Sequence, residues 1–213
     1  QGILRNGVKP WLKSGMQIGD VLLMSRPLGV GIFFAGQMQN ISLRGNSDEI
    51  MKNLLTSQQY LIDQIYLFED QFRESFVNAA TDITGYGFMG HLKEMIESSN
   101  ISRKENNLPP LKVLLDLFAF KAYPGVIDLI RKGIKSTLFE SNKEIINPIM
   151  KKNSDNRIIT FLGEDSLNQK TLSEKKSLLL DPQTCGPLLI SCNPKYESFL
   201  KDNWYKVGEV INM

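Results

Sequence analysis

The stretch Ala80-Thr81-Asp82-Ile83-Thr84-Gly85-Tyr86-Gly87-Phe88-Met89-Gly90-His91-Leu92-Lys93-Glu94-Met95 constrains this chain more than any other. Its closely spaced glycines call for a turn, and beyond it Phe88, Leu92, Met95 and Ile96 recur at helical spacing. The pattern predicts an extended segment, a tight turn and the start of an amphipathic helix. Unpaired amides at a helix N-terminus favour anions, and a carboxylate beside them can hold the cation that accompanies a phosphate. On that chemistry the guest is a nucleotide with its magnesium. The same residues also serve without a ligand, because Asp and Thr cap orphan amides and glycines suit the turn alone. A third reading takes Gly85, Gly87 and Gly90 as the Gly-x-Gly-x-x-Gly of a dinucleotide-binding oxidoreductase. That fingerprint wants a nearly continuous apolar strand before its first glycine and an acid about 20 residues on. Here Val77-Asn78-Ala79-Ala80-Thr81-Asp82 precedes the turn, and Leu114-Leu115-Asp116 comes late.

The bulk properties narrow the classes. At 213 residues and 42% hydrophobic content the chain can bury a core, and a net charge of +2 gives no case for nucleic acid or membrane as a general partner. No apolar run reaches the length of a membrane span and no secretory signal is visible, so a cytoplasmic protein is expected. Cys185 and Cys192 are too few for a disulfide framework and are expected as free thiols. With His91 as the one histidine, a Cys/His zinc site is short of ligands, whereas a hard cation on carboxylate oxygens stays open. The chain opens on Gln1 without an initiator Met, which reads as a fragment.

In chain order, turns around Arg5-Asn6-Gly7 and Ile18-Gly19-Asp20 lead into a buried strand at 21–25 and, after Pro27-Leu28-Gly29-Val30-Gly31, a helix from Ile32. Gly29 and Gly31 read as a connection that needs positive φ. This second strand, glycine turn and helix suggests an α/β layer architecture with the turns at one edge of a sheet. Residues 40–47 read as a loop, 49–72 as one or two long helices, and Glu69, Asp70 and Glu74 as solvent-facing acids. Gly90 implies close packing of the predicted helix on a neighbour; His91 reads as a capping or packing group, with no acidic partner evident. Residues 102–110 and 151–156 read as surface loops. Strands are expected at 111–116, 158–162, 177–180, 188–192 and 205–211, a helix at 124–132 ending before Gly133, and a short helix from Asn193-Pro194. Residues 181–187 then form a hairpin-like turn.

The central stretch resembles the Ala-Thr-Asp-Val-Thr-Gly-Phe-Gly-Leu-Leu-Gly-His segment of selenophosphate synthetases (selenide, water dikinases), members of the aminoimidazole ribonucleotide synthetase-like ATP-binding superfamily. Asp82, Thr84, Gly85, Gly87, Gly90 and His91 match it position by position. Asp181-Pro182-Gln183-Thr184-Cys185-Gly186-Pro187-Leu188-Leu189 is similar to the family's Asp-Pro-Gln-Thr-Ser-Gly-Gly-Leu-Leu, with Cys185 for Ser and Pro187 for Gly. Residues 19–31 resemble a family Gly-Asp segment with Arg26 in place of Lys, and Gly133-Ile134-Lys135-Ser136-Thr137-Leu138 with Asn142 resembles a further one.

The resemblance implies an α+β fold, a layered domain of helices packed on a mixed sheet, and places 1–213 as the single C-terminal domain of a larger enzyme whose N-terminal ATP-binding half is absent. It implies conversion of ATP, selenide and water to selenophosphate, AMP and phosphate, with Mg2+ as cofactor. By the same resemblance Asp82 is the magnesium ligand, Thr84, Gly85 and Gly87 lie near the phosphates, and no catalytic residue falls in this chain. The full-length protein is then a homodimer and the fragment an inactive monomer. A non-catalytic binding or regulatory paralogue is the rival, motivated by Pro187, which removes an amide donor and fixes φ.

Overall fold

The computed structural model describes residues 9–41, 47–150 and 157–212. The expected turn at 5–7, most of the loop at 40–47 and the loop at 151–156 lie outside them. The strands are β1 (Val21–Met24), β2 (Val77–Asp82), β3 (Leu111–Asp116), β4 (Ile159–Leu162), β5 (Leu188–Cys192) and β6 (Tyr205–Asn212). The helices are α1 (Val30–Met38), α2 (Ser47–Leu55), α3 (Gln59–Phe72), α4 (Gly87–Glu105), α5 (Val126–Arg131), α6 (Phe139–Met150), α7 (Gln169–Leu180) and α8 (Glu197–Leu200). The fold is α+β, with one six-stranded sheet in the order β2-β5-β1-β6-β3-β4.

The sheet is mixed. β3 and β4 are parallel, and every other pairing is antiparallel. Strands β1 to β4 therefore run one way and β5 and β6 the other. The ends of β1 and β2 and the beginning of β5 consequently open on the same edge, and the two strand–turn–helix units meet there as expected.

Side chains alternate across the pleat, and β1 is buried on both faces. Leu22 and Met24 join the larger core with Phe33, Phe88, Leu92, Met95 and Leu178, whereas Val21 and Leu23 face Leu61 and Ile65 of α3 together with Tyr196 and Trp204. That double burial is why β1 reads as an unbroken apolar run. On β3 only Leu111, Val113 and Leu115 are fully buried. The smaller core draws its strand residues from β2, β5 and β1.

Several expectations change. Residues 177–180 are the last turn of α7, not a strand, and 181–187 link helix to strand. A short apolar run is ambiguous between strand and helix, and Leu178, Leu179 and Leu180 close a helix that Asn168 caps through its side chain on the Thr171 amide. α4 runs on to Glu105, beyond the loop expected from 102, because nothing there breaks a helix before Asn106 and Asn107, the latter at φ 56°. The helix expected at 49–72 is two, α2 and α3. Glu69 is half-buried and accepts from the Phe76 amide at 3.0 Å and the Ser75 hydroxyl at 2.9 Å, tying α3 to β2 in place of facing solvent. Both cysteines are free, Cys185 exposed and Cys192 buried, with burial pushing the Cys192 thiol up to about 12. Among the described residues no helix is long and apolar enough to cross a membrane.

Candidate functional site

Asp82 ends β2 opposite Leu188 of β5 and is exposed. Among the described residues no donor is seen on its carboxylate. It borders a cleft of about 340 Å³ whose walls include Trp11, Lys13, Ile62 and Leu188. A hard cation takes six or more oxygens, and no cluster of three or more Asp, Glu, His or Cys exists among the described residues. Among the described residues Asp82 offers a lone carboxylate and no complete set of cation ligands.

The two glycine turns at the shared edge are used differently. At α1 the helix N-terminus is filled from the Asp181-Pro182-Gln183 segment. Gln183 Oε1 accepts from the Gly29 and Val30 amides at 3.1 and 3.2 Å, the Pro182 carbonyl from Gly31 at 3.1 Å, and Asp181 Oδ2 from Ile32 at 3.2 Å. Every orphan amide of the first turn is satisfied, so nothing is left for a ligand. Gly29 has the expected positive φ of 112°; Gly31 does not, and is needed because a Cβ there would stand 2.5 Å from the Pro182 carbonyl oxygen. At α4, beside Asp82, no side chain caps the helix. Of the two units, it is the one at Asp82 that keeps an open N-terminus.

The three glycines of that turn answer to different demands. Gly87 has φ 66°, donates its amide to the Thr84 carbonyl at 3.0 Å, and would place a Cβ 2.8 Å from the Leu180 carbonyl oxygen. Gly90 is crowded by Tyr86, whose Cβ would lie 2.5 Å from an added one, so the packing is against the helix's own first turn and not against a neighbouring element. At Gly85 the nearest atom to an added Cβ is Leu138 Cδ1 at 3.9 Å, ordinary contact, and its φ is not positive. The fold requires glycine at 87 and 90 and does not at 85.

Thr84 Oγ1 lies 3.0 Å from His91 Nε2. Burial holds the imidazole below its ordinary range, outweighing the attraction of Glu94. The acidic partner that was not evident in sequence is this Glu94, three residues on, its Oε2 3.4 Å from Nδ1, too poorly aligned for a hydrogen bond. Glu94 in turn takes Lys13 Nζ at 2.6 Å. His91 packs and orients Thr84, in agreement with a packing role.

Two residues whose part could not be read from sequence complete the frame. Asn142, 3% exposed, donates Nδ2 to the Gly85 and Leu180 carbonyls, each at 3.0 Å, and so clamps the turn to the end of α7. The Gln183 backbone amide donates to the Thr84 carbonyl at 2.9 Å, while its buried side chain is spent on the α1 amides and Asp181. Polar residues inside matched segments are the signal for both, since a buried amide side chain must find partners. Pro187 offers its carbonyl to the Ile83 amide at 2.9 Å, so this contact does not need an amide at 187. Gly186 is the position that cannot change, because a Cβ would lie 2.1 Å from the Ile83 carbonyl oxygen. The structure thus brings Asp82, Thr84, Gly85 and Gly87 together on one strand–turn–helix unit, with Asn142 and Gln183 as its supports.

A family model described as AIR synthase related protein, C-terminal domain, matches residues 17–212. Among curated relatives the chain is 32% identical over 181 residues to a selenide, water dikinase of Campylobacter jejuni, covering 84% of this chain and 42% of that protein. It is 26% identical over 197 residues to selenide, water dikinase 2 of Peptoclostridium acidaminophilum, covering 92% and 47%. The chain thus spans under half the length of these relatives. Among solved structures, a hydrogenase maturation protein HypE aligns with a TM-score of 0.56 at 13% identity over 99% of this chain and 49% of its own. A thiamine-monophosphate kinase from Stenotrophomonas maltophilia aligns at 0.55 and 12%, over 95% and 51%. At those identities the likeness is one of fold.

Proposed function

The chain belongs to the AIR synthase related protein family, as its C-terminal domain, and from that premise we propose that it is the C-terminal domain of a selenide, water dikinase, forming selenophosphate, AMP and phosphate from ATP, selenide and water. The observation that carries the reading is the contrast at the sheet edge: α1 is capped by Asp181 and Gln183, while among the described residues α4 has no side-chain cap and the Asp82 carboxylate beside it no hydrogen-bond donor. Asp82 holds magnesium, and Thr84 and Gly85 lie near the phosphates; Gly87 shapes the turn, its own amide being engaged by Thr84. Magnesium supplies neutralisation of charge on the transferring phosphoryl groups. His91 keeps the Thr84 hydroxyl in place, and Asn142 fixes the Gly85 carbonyl so that the turn does not reorganise around its ligand. The remaining metal ligands, the catalytic groups and the contacts of a homodimer lie in the other half of the full-length protein, and this chain alone is inactive.

The test is an assay of the full-length protein for selenide-dependent conversion of ATP to AMP, with a control lacking selenide. Asp82→Ala is expected to lower turnover on the order of 100-fold while moving the thermal midpoint by no more than about 2 °C, because among the described residues its carboxylate accepts no hydrogen bond. Unchanged turnover in the variant removes Asp82 from the site. Absence of selenide-dependent AMP in a folded protein that binds Mg-ATP favours a paralogue with another acceptor or a regulatory role.

A further inference from the structure

A groove of about 370 Å³ runs between α6 and α7 and shares no lining residue with the cleft beside Asp82. Lys135, Lys143 and Lys176 line it, with the hydroxyls of Ser173 and Ser177 one helical turn apart on α7. Phe139 and Leu172 supply an apolar wall. No carboxylate lines the groove among the described residues.

The charge balance around it is uneven. Lys135 and Lys143 approach one carboxylate, Glu140, at 2.7 and 3.8 Å, and Lys176 pairs with Glu164 at 2.8 Å. Three ammonium groups thus share two carboxylates, neither of which faces the groove. The two pairs to Glu140 are exposed and hold weakly, so Lys135 and Lys143 are available to a ligand at little cost, whereas Lys176 stays paired with the largely buried Glu164 and adds its charge to the groove wall. Lys135 Nζ also lies 4.7 Å from the centre of the Phe139 ring, which keeps a positive charge next to the apolar wall.

We propose that this groove binds a phosphate monoester of a small organic molecule. Lysines and hydroxyl residues lining one groove without a carboxylate favour a compact anion carrying more than one negative charge, and the Phe139 and Leu172 side chains would cover an organic moiety attached to it. The volume lies within the roughly 300–1,000 Å³ of small-molecule sites. The groove adjoins the glycine turn through Leu180, which lines it and whose carbonyl receives the Asn142 amide that also holds Gly85.

The probe is AMP, titrated into the 213-residue chain and followed by amide resonances, with adenosine as the control lacking phosphate. Saturable shifts are expected at Lys143, Ser173, Lys176 and Ser177, with adenosine bound at least about tenfold more weakly. Lys143→Gln with Lys176→Gln weakens AMP by about tenfold or more. Ser173→Glu, which keeps every ion pair and adds an anion to the groove, does the same, so loss of fold in the first variant does not decide the matter. Asp82→Asn leaves the shifts in place. No saturable shift up to roughly 10 mM AMP, equal binding of adenosine, or shifts confined to residues 84–90 overturns the proposal.

Discussion

Gly85, Gly87 and Gly90 occupy one turn, yet three different constraints act on them. Positive φ and a close carbonyl hold position 87, the Tyr86 side chain holds position 90, and neither kind of pressure acts at 85. A residue that folding leaves free but that lies in the candidate site is the most direct probe of function. Gly85→Ala is expected to leave the chain's thermal midpoint within about 2 °C and to weaken Mg-ATP in the full-length protein by about tenfold or more. Gly87→Ala is expected to destabilise the chain by at least about 1–2 kcal/mol, read as a lower urea midpoint. Equal stability of the two variants would show that the turn relaxes around a Cβ, and full nucleotide affinity in Gly85→Ala would take that residue out of the site. Arg26 shows the same specificity in a charged residue. Its guanidinium, 7% exposed, reaches the Thr56 and Cys185 carbonyls with two separate nitrogens, a fork that the Lys of the resembling segment cannot reproduce.

At the scale of elements, α1 depends on a segment about 150 residues away in sequence for its N-terminal cap. The capping carboxylate of Asp181 is completely buried, and its Oδ1 lacks an aligned partner. Burial drives this carboxyl from its ordinary 3.8 up to about 7, against the hydrogen bonds from Ile32 and Gln183 that favour the anion. The folded chain then holds the proton at pH values where the unfolded chain has lost it. The stability this contributes is fully present below about pH 4 and is lost as the pH rises towards about 7. Asp181→Asn should remove that slope, so the urea midpoint of the variant falls less between pH 4.5 and pH 7.5 than that of the parent. Asp20, raised by burial, and His91, lowered by it, titrate in both proteins and cancel in the difference. Parallel profiles would mean that Asp181 ionises in its ordinary range.

At the scale of the whole molecule, strand order decides between the nucleotide readings. A dinucleotide unit needs its glycine turn between two adjacent parallel strands. Here β2 stands at the sheet edge with antiparallel β5 as its neighbour, and β3, which follows α4, lies four places away. The Gly-x-Gly-x-x-Gly letters therefore fall in the wrong architecture, and titration with NADH is expected to give no saturable binding. Saturation at micromolar NADH would reverse that conclusion.

Local signals in the chain determined a good deal by themselves. The extended segment, turn and helix start of residues 77–96, the buried β1 and the free cysteines follow from periodicity, glycine placement and composition, because each depends on local signals, whereas the α+β class came from the family resemblance. The identity of Asp82 as a candidate ligand was equally visible, since a carboxylate next to a helix start is a local motif. What only the tertiary structure decided are the relations between distant segments. Leu178, Leu179 and Leu180 carry no local mark separating strand from helix, and α6, with Pro148 inside it, went unanticipated. That Asp181 and Gln183 cap α1, that Asn142 clamps Gly85, and that Pro187 serves through its carbonyl are contacts across tens to more than a hundred residues. A buried polar group must be paired, but which group pairs it is settled only when the sheet order brings the segments to one edge.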